Sequence, residues 1–518
     1  MRTRGHIAAT SLLILLASLS PAQSEDDGAR GVRFPKKKYT DAPIPTFAAS
    51  RDRLPSPILT ANPEFAELYW KAWELAFHHL KKPPQGSPFV SNFIDEAFAP
   101  QIFQWDTIFM IMFARYAHHI FPAVQSLDNF YCRQHESGYI CREIFEADGK
   151  DFYYEGVQNT VNPPLFAWAE VESYKVSGDK SRFAVVLPVL EKYAEWLESG
   201  RTKSGTKHGL YWNTGLGSGM DNSPRSGSGW VDMSAQMVVM YNSLAIIADE
   251  LHQPEKAKQF REHAAEIGSR INRFMWNDED GLYYDVDDSG KQVKCKTIAC
   301  FWPMLAKIAS PHQVEKMLLQ LKNPKSFWRH NVFPSLAADE KQYRPDGEYW
   351  LGGVWAPTNV AVIKGLNEYP DLYNTTEFAV AATERYLARM CAVYRKNGTI
   401  WENYAPEFDM RGSLSQPDFV GWSGCGPIQL LIEDVLGFSP EGAHAKLVWR
   451  VTRIDRHGIE NLRFGDITAS VVGEQRSDVN APIRFTVTTD KPFELAVNHP
   501  KGSKTLAITA GTTTLQLP

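Results

Sequence analysis

From residue 62 onward the chain places apolar side chains at intervals of three and four. Phe65, Leu68, Tyr69, Trp73, Leu75 and Ala76 set the pattern, and the spacing of one helix face predicts a helix over 62–80. The same test predicts helices at about 105–118, 121–133, 163–177, 181–199, 232–251, 255–275, 297–308, 311–321, 357–369, 374–396 and 425–436. The links alternate in length. Those near 120, 178–180, 253–254, 310 and 370 are tight, whereas 81–104, 134–162, 200–231, 276–296, 322–356 and 397–424 are long. Helices joined by tight turns run antiparallel, so strict alternation gathers all the long loops at one end. Five of them carry a Gly followed by an aromatic or aliphatic pair, at 138–140, 209–211, 281–283, 347–349 and 398–400. The glycines recur at intervals of 71, 72, 66 and 51 residues, a degenerate internal repeat. The pattern predicts a mainly α fold, an (α/α)6 toroid of six helical hairpins over 57–438.

Beyond 437 the period changes to two. Residues 447–451, 483–488, 493–497 and 505–509 alternate apolar and polar side chains between Gly, Pro, Asp and Asn, which predicts a small β-sandwich over 439–518. Its lack of distinctive polar residues assigns it packing rather than chemistry. Residues 23–56 are Pro-rich and irregular and read as a surface arm. At the start, Arg2 and Arg4 precede an apolar run at 7–19, and small residues precede Gln23. This is the pattern of a secretory signal cleaved after Ala22, with export to the periplasm or beyond as the expectation. No other run reaches the roughly 18 apolar residues of a membrane helix, so no span is expected after signal removal.

The chain of 518 residues is 43% apolar, enough for one large core and a smaller one. A net charge of −5 and a single short basic run, Lys36-Lys37-Lys38, argue against a nucleic-acid partner. The six cysteines suit an oxidising compartment; Cys132 with Cys141, and Cys295 with Cys300, lie close enough in sequence to bridge. No Cys/His spacing is zinc-like. The sequence calls for no cofactor or metal, although it leaves a structural calcium ion open.

The loop end carries Trp105-Asp106, Arg142-Glu143, Asn162-Pro163-Pro164, Asp221-Asn222, Tyr349-Trp350 with Trp355, Trp401-Glu402-Asn403-Tyr404 and Trp422. Sugars present polar rims and apolar C–H faces, so carboxylates, amides and Arg interleaved with indoles suit a small carbohydrate. Cleaving a glycosidic bond needs two carboxyl groups, one protonated and one ionised. Asp221, in Gly219-Met220-Asp221-Asn222-Ser223-Pro224-Arg225, and Glu402 are the candidate pair. Asp221-Asn222-Ser223-Pro224 also has turn and N-cap chemistry, Asp106 and Asp232 also read as N-caps, and Glu402 as a cap of the turn after it. The Gly227-Ser228-Gly229 segment of the same loop reads as a mobile lid.

In order and in combination, several of these motifs resemble the trehalase-like (α/α)6 glycoside hydrolases. The resemblance is nearest to bacterial members of glycoside hydrolase family 63, such as glucosylglycerate and mannosylglycerate hydrolases, and to processing α-glucosidase. It covers about 61–438. It rests on Gln104-Trp105-Asp106, Asn162-Pro163-Pro164, the 219–224 turn, Trp276-Asn277-Asp278-Glu279-Asp280-Gly281-Leu282-Tyr283-Tyr284-Asp285, Tyr349-Trp350 with Trp355, Glu402-Asn403-Tyr404 and Gly421-Trp422-Ser423-Gly424. It implies an inverting exo-α-glycosidase with Asp221 as general acid, Glu402 as general base, and Trp105, Asp106, Tyr349, Trp350 and Trp355 lining the sugar pocket. Asn162 stands where the family often has Gln, and Leu351 where it usually has Arg. The Leu removes a fixed donor fork. A non-catalytic sugar-binding protein and a lyase or phosphorylase on the same toroid are the rival expectations.

Overall fold

The structure, a computed structural model, describes residues 30–518 except 36, 97, 156–160, 203–204 and 373. The expected signal at 1–22 lies outside the described residues, as does Lys36 of the basic run.

Among the described residues, eleven α-helices, counted from Pro63, and a π-helix follow the predicted order. They are α1 (Pro63–His78), α2 (Gln104–Ala114), α3 (Asp128–Tyr131), α4 (Phe166–Ser177), α5 (Phe183–Arg201), α6 (Val231–Glu250), α7 (Pro254–Phe274), α8 (Trp302–Leu305), α9 (Pro311–Leu321), α10 (Ala356–Asn367), α11 (Thr375–Asn397) and the π-helix Gly426–Val435. Two expected helices are largely replaced by 3₁₀ turns. Ala123–Leu127 precedes a one-turn α3, and Ile298–Phe301 precedes a one-turn α8.

Composition separates inner from outer helices. Almost every side chain of α6 is buried, whereas α7 buries only Ala257, Ala264, Ile267, Gly268 and Ile271 along one stripe. A helix apolar all round must be enclosed, and a striped one covers it. Contacts run from α2 to α4, α6, α8, α10 and the π-helix, and the π-helix touches α2 again. α6 is also long and apolar enough to cross a membrane, but here it is a buried core helix. All five repeat glycines, Gly138, Gly209, Gly281, Gly347 and Gly398, take positive φ, where a Cβ would strain the turn.

The C-terminal region is built from strands. β1 (Ser56–Leu59), β4 (His457–Phe464), β5 (Ile467–Gly473), β6 (Ile483–Thr489) and β9 (Gly511–Leu517) form one sheet in that order. β2 (Phe438–Glu441), β3 (Lys446–Arg450), β7 (Phe493–His499) and β8 (Gly502–Ile508) form the other, with β3 and β7 parallel. Residues 56–59, at the boundary of the supposed arm, are thus an edge strand paired antiparallel to β4.

The strand region packs beneath the helices. The Gly442–His444 turn lies against α4, and Arg450 donates to Asn367, to the Glu433 carbonyl and to Asp434. Just above, four charged side chains from the inner helices and the residues that follow them meet. Arg115 pairs with Glu172 at 2.5 Å and with Glu433; Lys364 pairs with Glu172 at 3.3 Å and with Glu433 at 3.1 Å. Both carboxylates are thereby neutralised in a buried setting, where an unpaired charge would be costly.

The cysteine pairs are not bridged: all six thiols are free. Cys132 Sγ donates to the Pro88 and Asn129 carbonyls, and Cys141 Sγ to those of Glu143 and Tyr153. Each sulfur is turned to its own local acceptors. Cys300 Sγ likewise faces the Cys295 carbonyl at 3.7 Å.

Replacing Lys364 by Met leaves the buried Glu433 to Arg115, which it shares with Glu172, while Glu172 keeps Lys175 at 2.6 Å as a second partner. We expect a loss of roughly 3–5 kcal/mol, read as a lower urea midpoint.

Candidate active site

The residues singled out from sequence stand at the N-terminal ends of the inner helices. Trp105 and Asp106 lie in the first turn of α2, Asn162 precedes α4, the 219–225 loop precedes α6, Trp355 precedes α10, and Trp422 precedes the π-helix. The floor network lies at the opposite ends.

The Asp221 loop is held by contacts that sequence reading missed. Arg225, fully buried, donates from Nε and Nη2 to Asp285 at 2.9 and 2.8 Å and from Nη1 and Nη2 to Asp232 at 2.6 and 2.8 Å. Its guanidinium lies 4.4 Å over the Trp230 ring. Asp285 Oδ1 also accepts from Val231 N–H at the start of α6 at 2.9 Å. Asp232 is therefore a structural anchor. Gly219 passes Trp105 so closely that a Cβ would lie 3.1 Å from its Nε1, which brings the acid loop against the α2 pair. The supposed lid is pinned: the Ser228 and Gly229 amides both donate to the Val286 carbonyl, at 2.8 and 3.0 Å, and Gly229 pairs back with Val286. A segment tied into a ladder is not a mobile flap.

Glu402 is held by a second ladder. Its N–H donates to the Gln416 carbonyl at 2.9 Å, and Gln416 N–H donates to Glu402 Oε2 at 3.1 Å. Trp422 Nε1 fixes the Glu402 carbonyl at 2.9 Å. Asn222 joins the acid loop to the aromatic loop, donating to the Glu348 carbonyl at 3.0 Å and accepting from Trp350 N–H at 2.8 Å. Glu348 and Tyr349 take φ of 25° and 64°, a strained path of the kind that persists at sites where the surroundings impose it.

The aromatic side chains form a wall. Trp350 and Trp355 stack at 4.0 Å, Trp355 meets Tyr349 at 5.0 Å and Trp422 at 5.6 Å. Trp350 and Trp355 are buried against each other, so they back the wall and offer no free face; Tyr349 is the partly exposed ring. Arg142 is engaged by Glu143 and the Leu216 carbonyl and stands near Tyr153. Its charge acts on Asp221. Asn162 is buried beside Pro163, whose carbonyl accepts from Gln104 Nε2 at 3.2 Å. Leu351 is half-buried, and the nearest arginine in sequence, Arg344, pairs with Glu348 at 3.0 Å.

Burial lifts Asp221 to about 6, with Glu143 adding to the rise and Arg142 and a Tyr349 hydrogen bond opposing it. Burial lifts Glu402 to about 8; its hydrogen bond with Gln416 opposes this and Asp221 adds to it. Asp106 is raised well above the carboxylate range by burial and then by Glu402. Because Asp221 and Glu402 interact, the two values belong to the pair. Between them the pair carries one proton, the count that acid–base cleavage needs. Among the described residues no three His, Cys, Asp or Glu side chains gather as a metal-ligand set.

Two interacting carboxyls, backed by indoles and raised in pKa, have the chemistry of glycoside cleavage. The chain belongs to the mannosylglycerate hydrolase MGH1-like glycoside hydrolase domain family, whose model matches residues 99–423. It is a glycoside hydrolase. An uncharacterized protein of Borreliella burgdorferi is 30% identical over 359 residues, 68% of this chain and 75% of that one. The GH63 mannosylglycerate hydrolase of Thermus thermophilus, solved with glucose, is 18% identical over 70% of this chain and 99% of its own, with a TM-score of 0.55. The neutral trehalase of Saccharomyces cerevisiae is 14% identical over 68% of this chain and 76% of its own, with a TM-score of 0.52. At these identities the structures share the fold.

Hydrolysis should fall below about pH 6, where both carboxyls are protonated, and above about pH 8, where both are ionised. Tyr349→Phe removes a donor to the Asp221 carboxylate, so the Asp221 value should rise; the pH profile of kcat/KM should show the limb near 6 moving upward.

Proposed function

We propose that the chain is an exported, inverting exo-α-glycosidase acting on a small α-glucoside or α-mannoside, with Asp221 as general acid and Glu402 as general base. What supports this reading is the pair itself, one carboxyl on each of two separately anchored loops, both pushed up by burial, Asp221 to about 6 and Glu402 to about 8. Asp221 protonates the leaving oxygen, and Glu402 takes a proton from the attacking water. Substrate binding must leave the proton on Asp221, although burial alone favours Glu402.

The cycle of contacts from α2 back to the π-helix supports an (α/α)6 toroid, and the two sheets support a β-sandwich beneath it. Loops gathered at one end, above a floor closed by ion pairs, favour a pocket that takes one non-reducing end. Asp106, Trp105 and Tyr349 are the residues for the sugar ring. The T. thermophilus enzyme has been solved with glucose and with Tris and D-glycerate. A hexose linked to a small polar acid or to a second sugar is accordingly the substrate class to try first. Leu351 makes direct transfer of any one substrate unsafe and points to different aglycone contacts.

Asp221→Asn and Glu402→Gln should each lower turnover by about 10²-fold or more with the fold intact. Nitrophenyl glycosides, whose leaving group needs little protonation, should partly restore the Asp221 variant and not the Glu402 one. Proton NMR in the first minutes should show the β-anomer from an α-glycoside; α-product first would assign Glu402 another role. Wild-type-like activity in either variant would remove the assignment.

Export follows from the basic, apolar and small-residue order of 1–22. Terminal sequencing of the protein from the periplasm or medium should begin at Gln23; an intact Met1 on protein confined to the cytoplasm would refute it.

A further inference from the structure

Residues 30–34 lie far ahead of the family-matched segment 99–423, yet they are docked on loops that reach the Asp221 turn. Gly31 N–H donates to the Gln134 carbonyl at 2.8 Å. Gly31 has a φ of 63° and passes so close to the neighbouring main chain that a Cβ would lie 2.4 Å from the Cys132 carbonyl oxygen, so only glycine fits there. Phe34 packs on Tyr131 with ring centroids 5.7 Å apart. This docking delivers Arg30, whose Nη1 donates to Asp151 Oδ1 at 2.9 Å, and both side chains are close to nine-tenths buried. His135 Nε2 meets the other Asp151 oxygen at 2.6 Å.

From Asp151 the contacts run without a break to the acid loop. Asp151 pairs with Ile144, and Phe152 N–H donates to the Glu143 carbonyl at 2.9 Å, so this segment is laddered onto the short strand Glu143–Phe145. The next residue, Tyr153, has its carbonyl held by the Tyr139 hydroxyl at 2.9 Å, and its ring lies 5.2 Å from the Arg142 guanidinium. Arg142 Nη1 donates to the Leu216 carbonyl, which also accepts from Gly219 N–H at 3.2 Å. That carbonyl belongs to the turn that ends in Asp221. Met220 N–H donates to the Gly215 carbonyl at 3.1 Å, and a Cβ on Gly215 would lie 2.5 Å from the Asp221 carbonyl oxygen. A guanidinium set over a ring, with donors committed to Glu143 and to a main-chain carbonyl, keeps little freedom.

We propose that Arg30 is a positioning residue for the general acid: residues 30–34 form a strap that holds Asp151 and, through Tyr153 and Arg142, seats the 215–221 turn. No bond is made or broken. The inference rests on the reading of Asp221 as general acid and deepens it by naming what fixes its loop from the N-terminal side of the chain.

The test uses the full mature chain with Arg30→Met, Asp151→Asn and the double variant, and with Lys38→Met, an exposed lysine of the same arm, as control. Hydrogen exchange read by mass spectrometry should show the amides of 215–220 exchanging about tenfold faster in Arg30→Met and at the wild-type rate in Lys38→Met. The double variant should exchange no faster than Asp151→Asn, because both changes cut one path. Unchanged exchange in Arg30→Met, or effects that add in the double variant, would overturn the proposal. Turnover of phenyl α-glucoside or phenyl α-mannoside, whose leaving group needs protonation, should fall about tenfold in Arg30→Met, while that of the nitrophenyl counterpart stays within about threefold. Equal loss on both leaving groups would overturn the link to the acid. Gly31→Ala keeps every charge and only lifts the strap; it should match Arg30→Met in both readouts, and it decides if Arg30→Met does not fold. If Asp221→Asn cleaves the phenyl glycosides like wild type, Asp221 is not the acid, and exchange at 215–220 still decides the strap.

Discussion

At one end of the inner helices every buried charge has a partner, and at the other the carboxyls outnumber the cations. Arg115, Lys364, Glu172 and Glu433 neutralise one another between α2, α4, α10 and the π-helix. Removing two cationic and two carboxylate groups from water is tolerable only as a complete set. The set therefore fixes how those helices meet, and through them where their opposite ends stand. At the mouth, burial raises Asp221, Glu402, Asp106 and Glu96, and Arg142 offsets only part of the rise at Asp221. A rigid, balanced floor lets the unbalanced mouth exist without collapsing onto itself.

Positioning at the mouth is done by main chain and by stacked rings. Glu402 sits in a two-residue ladder with Gln416, Asp221 follows a glycine pressed on Trp105, and Asn222 stitches the acid loop to the strained turn at Glu348 and Tyr349. Such anchoring removes side-chain freedom before any ligand arrives. Arg225 does the same for the whole acid loop, gripping two aspartates at once.

Helical periodicity and loop alternation were legible because a buried inner helix and a striped outer one leave different marks in sequence. The glycine repeat was legible because positive φ at the same place in each hairpin excludes most other residues. The one-turn character of α3 and α8 was not, since apolar residues at helical spacing also suit a 3₁₀ turn. Among the site residues, Asp221 and Glu402 stood out through their neighbours. Arg225 and Asp285 did not, because their meaning lies in partners 60 residues away. The Gly227-Ser228-Gly229 segment misled, for composition suggests freedom but cannot reveal a ladder partner at Val286.

The unbridged cysteines bear on where this protein can mature. Burial pushes the thiols of Cys132, Cys141, Cys295, Cys300 and Cys391 up to about 12, and that of Cys425 well above the usual thiol range. The reactive thiolate is then scarce at neutral pH. Once folded, the chain has no disulfide to lose, so a reducing surrounding takes nothing from what holds its core.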